Sequence, residues 1–212
     1  MDWAKLSAPL LGIVESGGPV VALLLGVSVI TVAVILYKLW QFRSAGVGRH
    51  KFLSQAISFW DKGEEANARE QLRRSSSYLA PVMISGLDIT KSNAAAVSAK
   101  LDAEAEVRFN QLERGFRFLD NVAQLAPLLG LFGTVLGMIS AFQTLQQAGN
   151  QVDPSILAGG IWVALLTTAV GLAVAMPTSL VLSWFEQRIA EDRVIAEQAI
   201  STILSPSVQH AG

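Results

Sequence analysis

Two consecutive stretches in the C-terminal half, 121–152 and 154–185, contain no charged residue at all and are separated only by Asp153. Each is longer than the ~20 apolar residues that carry a helix across a bilayer. A chain built around two such segments has few options. Lipid offers no partner for backbone N–H and C=O groups, so each segment satisfies its own as a helix. A third apolar run, 16–37, lies near the N-terminus, rich in Val, Leu and Ile. It is long enough to span, no basic cluster precedes it, and Lys38, Arg43, Arg49 and Lys51 follow it. That pattern predicts a retained anchor, not a cleaved leader.

The composition agrees: 51% of the 212 residues are hydrophobic and only 16% charged. The expected fold is therefore an all-α integral membrane protein with three transmembrane helices. A net charge of −1 gives no basic field for nucleic acid. The lack of cysteine excludes disulfides, thiolate metal sites and cysteine nucleophiles. His50 and His210 lack metal-ligand spacing, and neither a phosphate loop nor a Gly-x-Ser-x-Gly elbow is present. No enzyme activity, metal or cofactor is expected.

Of the 16 Lys and Arg residues only Lys5 precedes the first span, and the loop between the second and third spans has none. The positive-inside rule then places the N-terminus outside and both hydrophilic parts in the cytoplasm. The predicted order is an outer segment 1–18, span 19–40, a cytoplasmic helical region 41–117, span 118–145, an outer loop 146–155, span 156–185 and a cytoplasmic helix and tail 186–212. Trp3, Tyr37, Trp40, Trp162 and Trp184 fall near span ends, where aromatic belts form.

Local signals fill in the detail. Gly17-Gly18-Pro19 breaks the outer segment from the first span. Phe52, Leu53, Ala56, Ile57 and Trp60 have helical spacing, stopped by Asp61-Lys62-Gly63. A short helix 64–72, a loop 73–77 and a helix opened by Pro81 follow. From Ser92 the pattern continues with no evident stop to Leu145. Val97, Leu101, Ala105, Leu112, Phe116 and Leu119 lie near one stripe, and Glu104–Arg108 and Glu113–Arg117 are spaced as ion pairs. Pro127 and Pro177 are expected kinks in the second and third spans. Asp153 and Pro154 form a helix start, and Ser205-Pro206-Ser207 ends that helix.

The functional candidates are small-residue faces. In the second span Gly130, Gly133, Thr134, Gly137, Ser140, Ala141 and Thr144 recur at helical spacing. In the third, Ala164, Thr168, Gly171, Ala175 and Thr178 do the same. Such faces let backbones approach closely, and small-residue packing alone accounts for them. They also suit a narrow polar pathway, because the Thr134 and Thr168 hydroxyls are each both donor and acceptor. The first span is bulky and aliphatic all round and reads as an anchor. If protons move here, their carboxylate comes from another chain.

Leu112-Glu113-Arg114, the block 126–139 with its core Gly130-Leu131-Phe132-Gly133-Thr134-Val135, and the segment from Gly160-Ile161 through Gly171 to Met176-Pro177 resemble the ExbB/TolQ/MotA proton-channel family, with ExbB and TolQ nearer. The resemblance implies a ring oligomer, a homopentamer, in the inner membrane of a Gram-negative-type envelope. It also implies a single-span partner of ExbD or TolR type that carries the essential Asp, and a TonB- or TolA-like protein that receives the work. The family's pore threonines fall on Thr134 and Thr168. Many members have a Glu in a Gly-Ile-x-Glu-Ala-Leu-Leu motif, where this chain has Val163. Three spans set it apart from a flagellar MotA-type stator, which is expected to have four. A TolQ-like role, a gliding stator and a non-conducting scaffold stand as alternatives to an ExbB-like role.

Overall fold

A glycine sets the first boundary. In the computed structural model, which describes residues 3–89, 94–147 and 154–207, helix α1 (Trp3–Ala45) is interrupted at Gly18, with φ 66° and ψ −165°. A side chain at that φ would meet the adjacent carbonyl, so glycine makes the break before Pro19 at no steric cost. Among the described residues six helices follow: α2 (Lys51–Asp61), α3 (Glu65–Arg74), α4 (Ala80–Ile89), α5 (Ala94–Glu113), α6 (Phe116–Gln147) and α7 (Pro154–Leu204). Three segments are long and apolar enough to cross a membrane: Gly17–Ala45, Phe116–Gln147 and Leu157–Leu204. The chain is an all-helical, multi-pass membrane protein.

The unbroken helix expected from Ser92 to Leu145 is instead two helices. Ser92 lies outside the described residues; α5 ends at Glu113, and Gly115 adopts φ 94° before α6 begins at Phe116. The left-handed glycine ends one helix, and its carbonyl accepts from the N–H groups of Phe118 and Leu119, both at 3.2 Å, to start the next. α6 and α7 continue through Pro127 and Pro177. Asp153, most of the loop 146–155 and the tail beyond Ser207 lie outside the described residues.

The chain forms two compact units. The first comprises Met1–Ile35 and Gly115–Leu182. Its centre joins Leu24 of α1, Val122 and Ala126 of α6, and Val174 and Ala175 of α7. Leu128, Leu131, Phe132, Ile139, Leu165 and Leu180 are exposed around it. An apolar shell around an apolar centre is stable where the solvent is lipid.

The second unit comprises Leu36–Arg114 and Ser183–Gly212. Leu53, Ala56 and Trp60 of α2 are buried, while Phe52 is exposed. The Trp60 indole N–H donates to the Ile203 carbonyl of α7 at 3.1 Å. Gly63, φ 82°, follows α2 and closes it by donating to the Trp60 carbonyl at 2.9 Å. Val97, Leu101, Ala105, Phe109 and Leu112 bury one stripe of α5. Glu113 does not pair with Arg117. It turns to Arg193 of α7, whose guanidinium holds Glu106 and Glu113, each at 2.8 Å, and lies over the Phe109 ring at 4.9 Å.

Candidate functional site

The small face of α6 is pressed against α7 of the same chain. A Cβ on Gly130 would stand 2.9 Å from the Thr167 carbonyl oxygen and 3.0 Å from Thr168 Cα. One on Gly133 would stand 2.7 Å from Thr167 Oγ1, and one on Gly137 3.2 Å from Ala164 Cβ. From the other side, a Cβ on Gly171 would meet the Ala126 carbonyl oxygen at 2.5 Å. Gly130, Gly133, Gly137, Ala164 and Gly171 thus form one seam, and only residues without side-chain bulk permit it. Ala175 is buried in the adjoining centre, and Thr178 is buried with its hydroxyl donating to the Val174 carbonyl at 2.7 Å.

The hydroxyl inside the seam belongs to Thr167, a residue absent from the sequence-based candidates. Thr167 is 2% exposed, and its Oγ1 lies 2.7 Å from the Ala164 carbonyl and 3.0 Å from that of Gly130. Its single proton is shared between its own helix and its neighbour, pinning α7 to α6. The signal was a spacing: 164, 167, 171, 174 and 178 trace a face with alternating steps of three and four.

Thr134 and Thr168 are placed differently from each other. Thr134 is half-buried, and its hydroxyl donates to the Leu131 carbonyl at 2.6 Å, leaving its lone pairs available. Thr168 is also half-buried, but its Oγ1 is buried and has no hydrogen-bond partner. No hydrogen bond links the two threonines. Such an orphaned hydroxyl is uncommon, because burying one without a partner costs about 1–3 kcal/mol.

The charged groups gather elsewhere. In the second unit His50 Nε2 lies 2.6 Å from Oδ1 of Asp192, and the Tyr78 hydroxyl donates to Oδ2 at 2.9 Å. His50 and Asp192 are both buried. Burial first, and then the Asp192 charge, pushes the Tyr78 phenol well above its ordinary range, so it stays a donor. This cluster escaped the sequence reading because 142 residues separate His50 from Asp192. Among the described residues no group of three or more His, Asp or Glu side chains could hold a metal ion.

Residues 61–198 match the MotA/TolQ/ExbB proton channel family. The chain belongs to this family. A Methanothermobacter thermautotrophicus ExbB homologue, named as a biopolymer transport protein, is 27% identical over 179 residues, covering 84% of this chain and 63% of that relative. The biopolymer transport protein exbB1 of Vibrio cholerae is 37% identical over 86 residues, covering 39% of this chain and 38% of its own length. The Tol-Pal system protein TolQ of Haemophilus influenzae is 36% identical over 101 residues, 48% of this chain and 42% of that protein. The chain therefore spans less than two thirds of the length of each of these relatives. The matched region includes the whole of α6 and the seam.

Proposed function

We propose that this protein is an ExbB-like subunit of a proton-driven motor in the bacterial inner membrane. Several copies, five in the arrangement we favour, form a ring around a single-span partner of ExbD type. The N-terminus is periplasmic, and the second unit and C-terminus are cytoplasmic. The partner's Asp binds and releases the proton, and the movement energises a TonB-type protein for nutrient uptake across the outer membrane. The subunit works as a pathway wall and not as an enzyme.

The Thr168 hydroxyl carries the reading. It is buried and unpartnered on a helix whose neighbouring hydroxyl, Thr167, is fully engaged. Oγ1 is covered in the isolated chain, so a turn about the Cα–Cβ bond must swing this donor-acceptor outward before it meets a carboxyl group or water brought by another chain. Thr134, with its proton engaged and lone pairs free, suits the acceptor role on the same route. Val163 stands where many relatives have a Glu, so the titrating group here is the partner's alone. Each proton crossing about 100 mV releases about 2.3 kcal/mol.

The test is proton flux into liposomes containing the protein with its ExbD-type partner, beside uptake assays in cells. Thr168→Val and Thr134→Val should abolish flux and uptake while the assembly persists. Full flux in both variants defeats the pathway role, and absence of flux in the intact wild-type assembly favours a scaffold. A TolQ-like role is the second reading, because relatives bearing both names match the chain. Rescue of an uptake defect separates it from rescue of an envelope defect.

A further inference from the structure

We infer that a pocket in the second unit is a binding site for the phosphate of an anionic lipid headgroup, with Arg108 as its principal contact. The pocket, about 230 Å³, is lined by Gln41 and Ser44 of α1, Tyr78, and Arg108, Gln111 and Leu112 of α5. None of these residues belongs to the seam of α6 and α7, and the inference does not depend on proton conduction.

Charge is the first argument. Two of the acids of α5 are already committed, since Glu106 and Glu113 both pair with Arg193. The Asp192 carboxylate behind Tyr78 is buried, with one oxygen on His50 and the other on the Tyr78 hydroxyl. Arg108 is half-buried, and among the described residues it makes no ion pair or hydrogen bond. The pairing that its spacing from Glu104 suggests does not form. A guanidinium facing a cavity without an internal carboxylate offers a fork of donors suited to a phosphate.

The neighbouring amide is oriented to assist. Lys38 is buried, and its ammonium donates to Gln41 Oε1 at 2.8 Å and to the Leu112 carbonyl at 2.9 Å. The Gln41 carbonyl is thereby turned to the cation, and Nε2 points towards the Gln111 carbonyl, 3.5 Å away. Both Gln41 and Gln111 line the pocket; with one amide N–H of Gln41 on the Gln111 carbonyl, its second N–H, carried on α1, remains for a phosphate, backed by the Lys38 ammonium.

Depth decides the source of the phosphate. Leu36, Tyr37, Leu39 and Trp40 are exposed on α1 immediately before Gln41, and the Tyr37 and Trp40 rings lie 6.3 Å apart. Exposed Trp and Tyr at the end of an apolar span mark the headgroup level. Trp184 of α7 marks the same level: its ring lies 6.4 Å from that of Phe42, and Arg188 sits over it at 5.7 Å. Ser44 is one helical turn beyond Trp40, about 6 Å along the axis. The pocket is therefore at the depth of lipid phosphates, and its small volume suits a headgroup better than a larger solute.

The experiment is native mass spectrometry of the purified full-length protein in mild detergent. It is titrated with phosphatidylglycerol, with phosphatidylcholine of the same chains, and with inorganic phosphate. Wild type should retain phosphatidylglycerol in preference to phosphatidylcholine. Arg108→Gln should weaken that retention roughly tenfold or more, as loss of a charge-assisted contact does. Arg108→Lys should recover part of it, and Arg73→Gln, an exposed cation outside the pocket, should leave it unchanged. A melting curve establishes that each variant is folded. The assignment is overturned if Arg108→Gln retains the lipid as wild type does, or if Arg73→Gln loses as much. Equal retention of phosphatidylcholine also overturns it, as does binding of inorganic phosphate without phosphatidylglycerol.

Discussion

Replacing Gly171 by alanine asks whether the seam between α6 and α7 tolerates one methyl group. The new Cβ would stand 2.5 Å from the Ala126 carbonyl oxygen and 3.2 Å from Gly130 Cα, both backbone atoms that no rotamer change can move aside. Ordinary contact begins at 3.4 Å, so the helices must separate by about 0.9 Å. A gap of that size forfeits a quarter to a half of each dispersion contact along the seam. Overpacking of this kind costs about 1–3 kcal/mol. The Thr167 hydrogen bond to the Gly130 carbonyl, 3.0 Å long, is also stretched beyond use, which in a membrane costs about 0.6–1.7 kcal/mol. Against this, alanine is favoured over glycine in a helix by about 1 kcal/mol. The net expectation is a loss of about 0.6–3.7 kcal/mol. Gly26→Ala is the control: nothing lies within 4 Å of its added Cβ, so only the helix-propensity gain should register. Reversible unfolding in mixed micelles, followed by far-ultraviolet circular dichroism, measures both. If Gly171→Ala is as stable as Gly26→Ala, α6 and α7 do not make the close contact described.

Thr167→Val and Thr168→Val should part company in the same assay. The first loses the link between helices and about 0.6–1.7 kcal/mol; the second removes an orphaned hydroxyl and should be neutral or stabilising by up to about 1 kcal/mol. His50→Ala leaves Asp192 buried without its nearest partner and should cost about 3 kcal/mol, seen as a lowered midpoint of unfolding. Tyr78 gives a pH signature. Its phenol is raised above the ordinary 10.0, so the folded state keeps a proton that the unfolded chain releases. That contribution is intact below about pH 10 and is lost as pH rises further, and Tyr78→Phe should flatten the alkaline decline in melting temperature. At the acid end, the Asp61 carboxyl is held below its ordinary 3.8 by hydrogen bonds from the Ser207 N–H and hydroxyl. Its hold on that segment should weaken as pH falls through the lowered value. Amide exchange of Ser207, compared between wild type and Asp61→Asn, measures it.

The spans were legible because apolar length is a property of contiguous residues. The Gly130–Gly133–Gly137 face was legible because glycine at helical spacing has few uses other than close approach. The choice between Thr167 and Thr168 was not. Neighbouring residues differ by about 100° around a helix, and a repeat of 3.6 cannot say which of two adjacent threonines looks into a seam whose direction the other helix sets. The break at Gly115 was hidden for a similar reason. Glu113-Arg114-Gly115 is compatible with a helix that continues, and only the turn into α6 requires φ 94° there. The Glu113–Arg117 pair went astray because Arg193 takes Glu113, reaching it and Glu106 at once, at 2.8 Å each; nothing in the structure explains why Glu104 leaves Arg108. Long-range partners such as Asp192 for His50 leave no trace in local spacing.

Under the proposed function, the adjacency of Thr167 and Thr168 bears on how spans without an acid can serve a proton. A carboxylate in an apolar span is costly, and its charge would also oppose the close approach that Gly130 and Gly171 permit. Hydroxyls avoid that difficulty, being small, uncharged and able both to donate and to accept. The seam uses one such group to hold itself together, with Thr167 bridging to the Gly130 carbonyl. The next residue keeps its hydroxyl uncommitted. In the proposed function, holding the helices together and meeting an incoming group would thus fall to separate side chains. Substituting Thr168 should then change transport without loosening the fold, whereas substituting Thr167 should loosen the fold first. A variant series in which stability and transport fell together at Thr168 would place its hydroxyl in the packing instead.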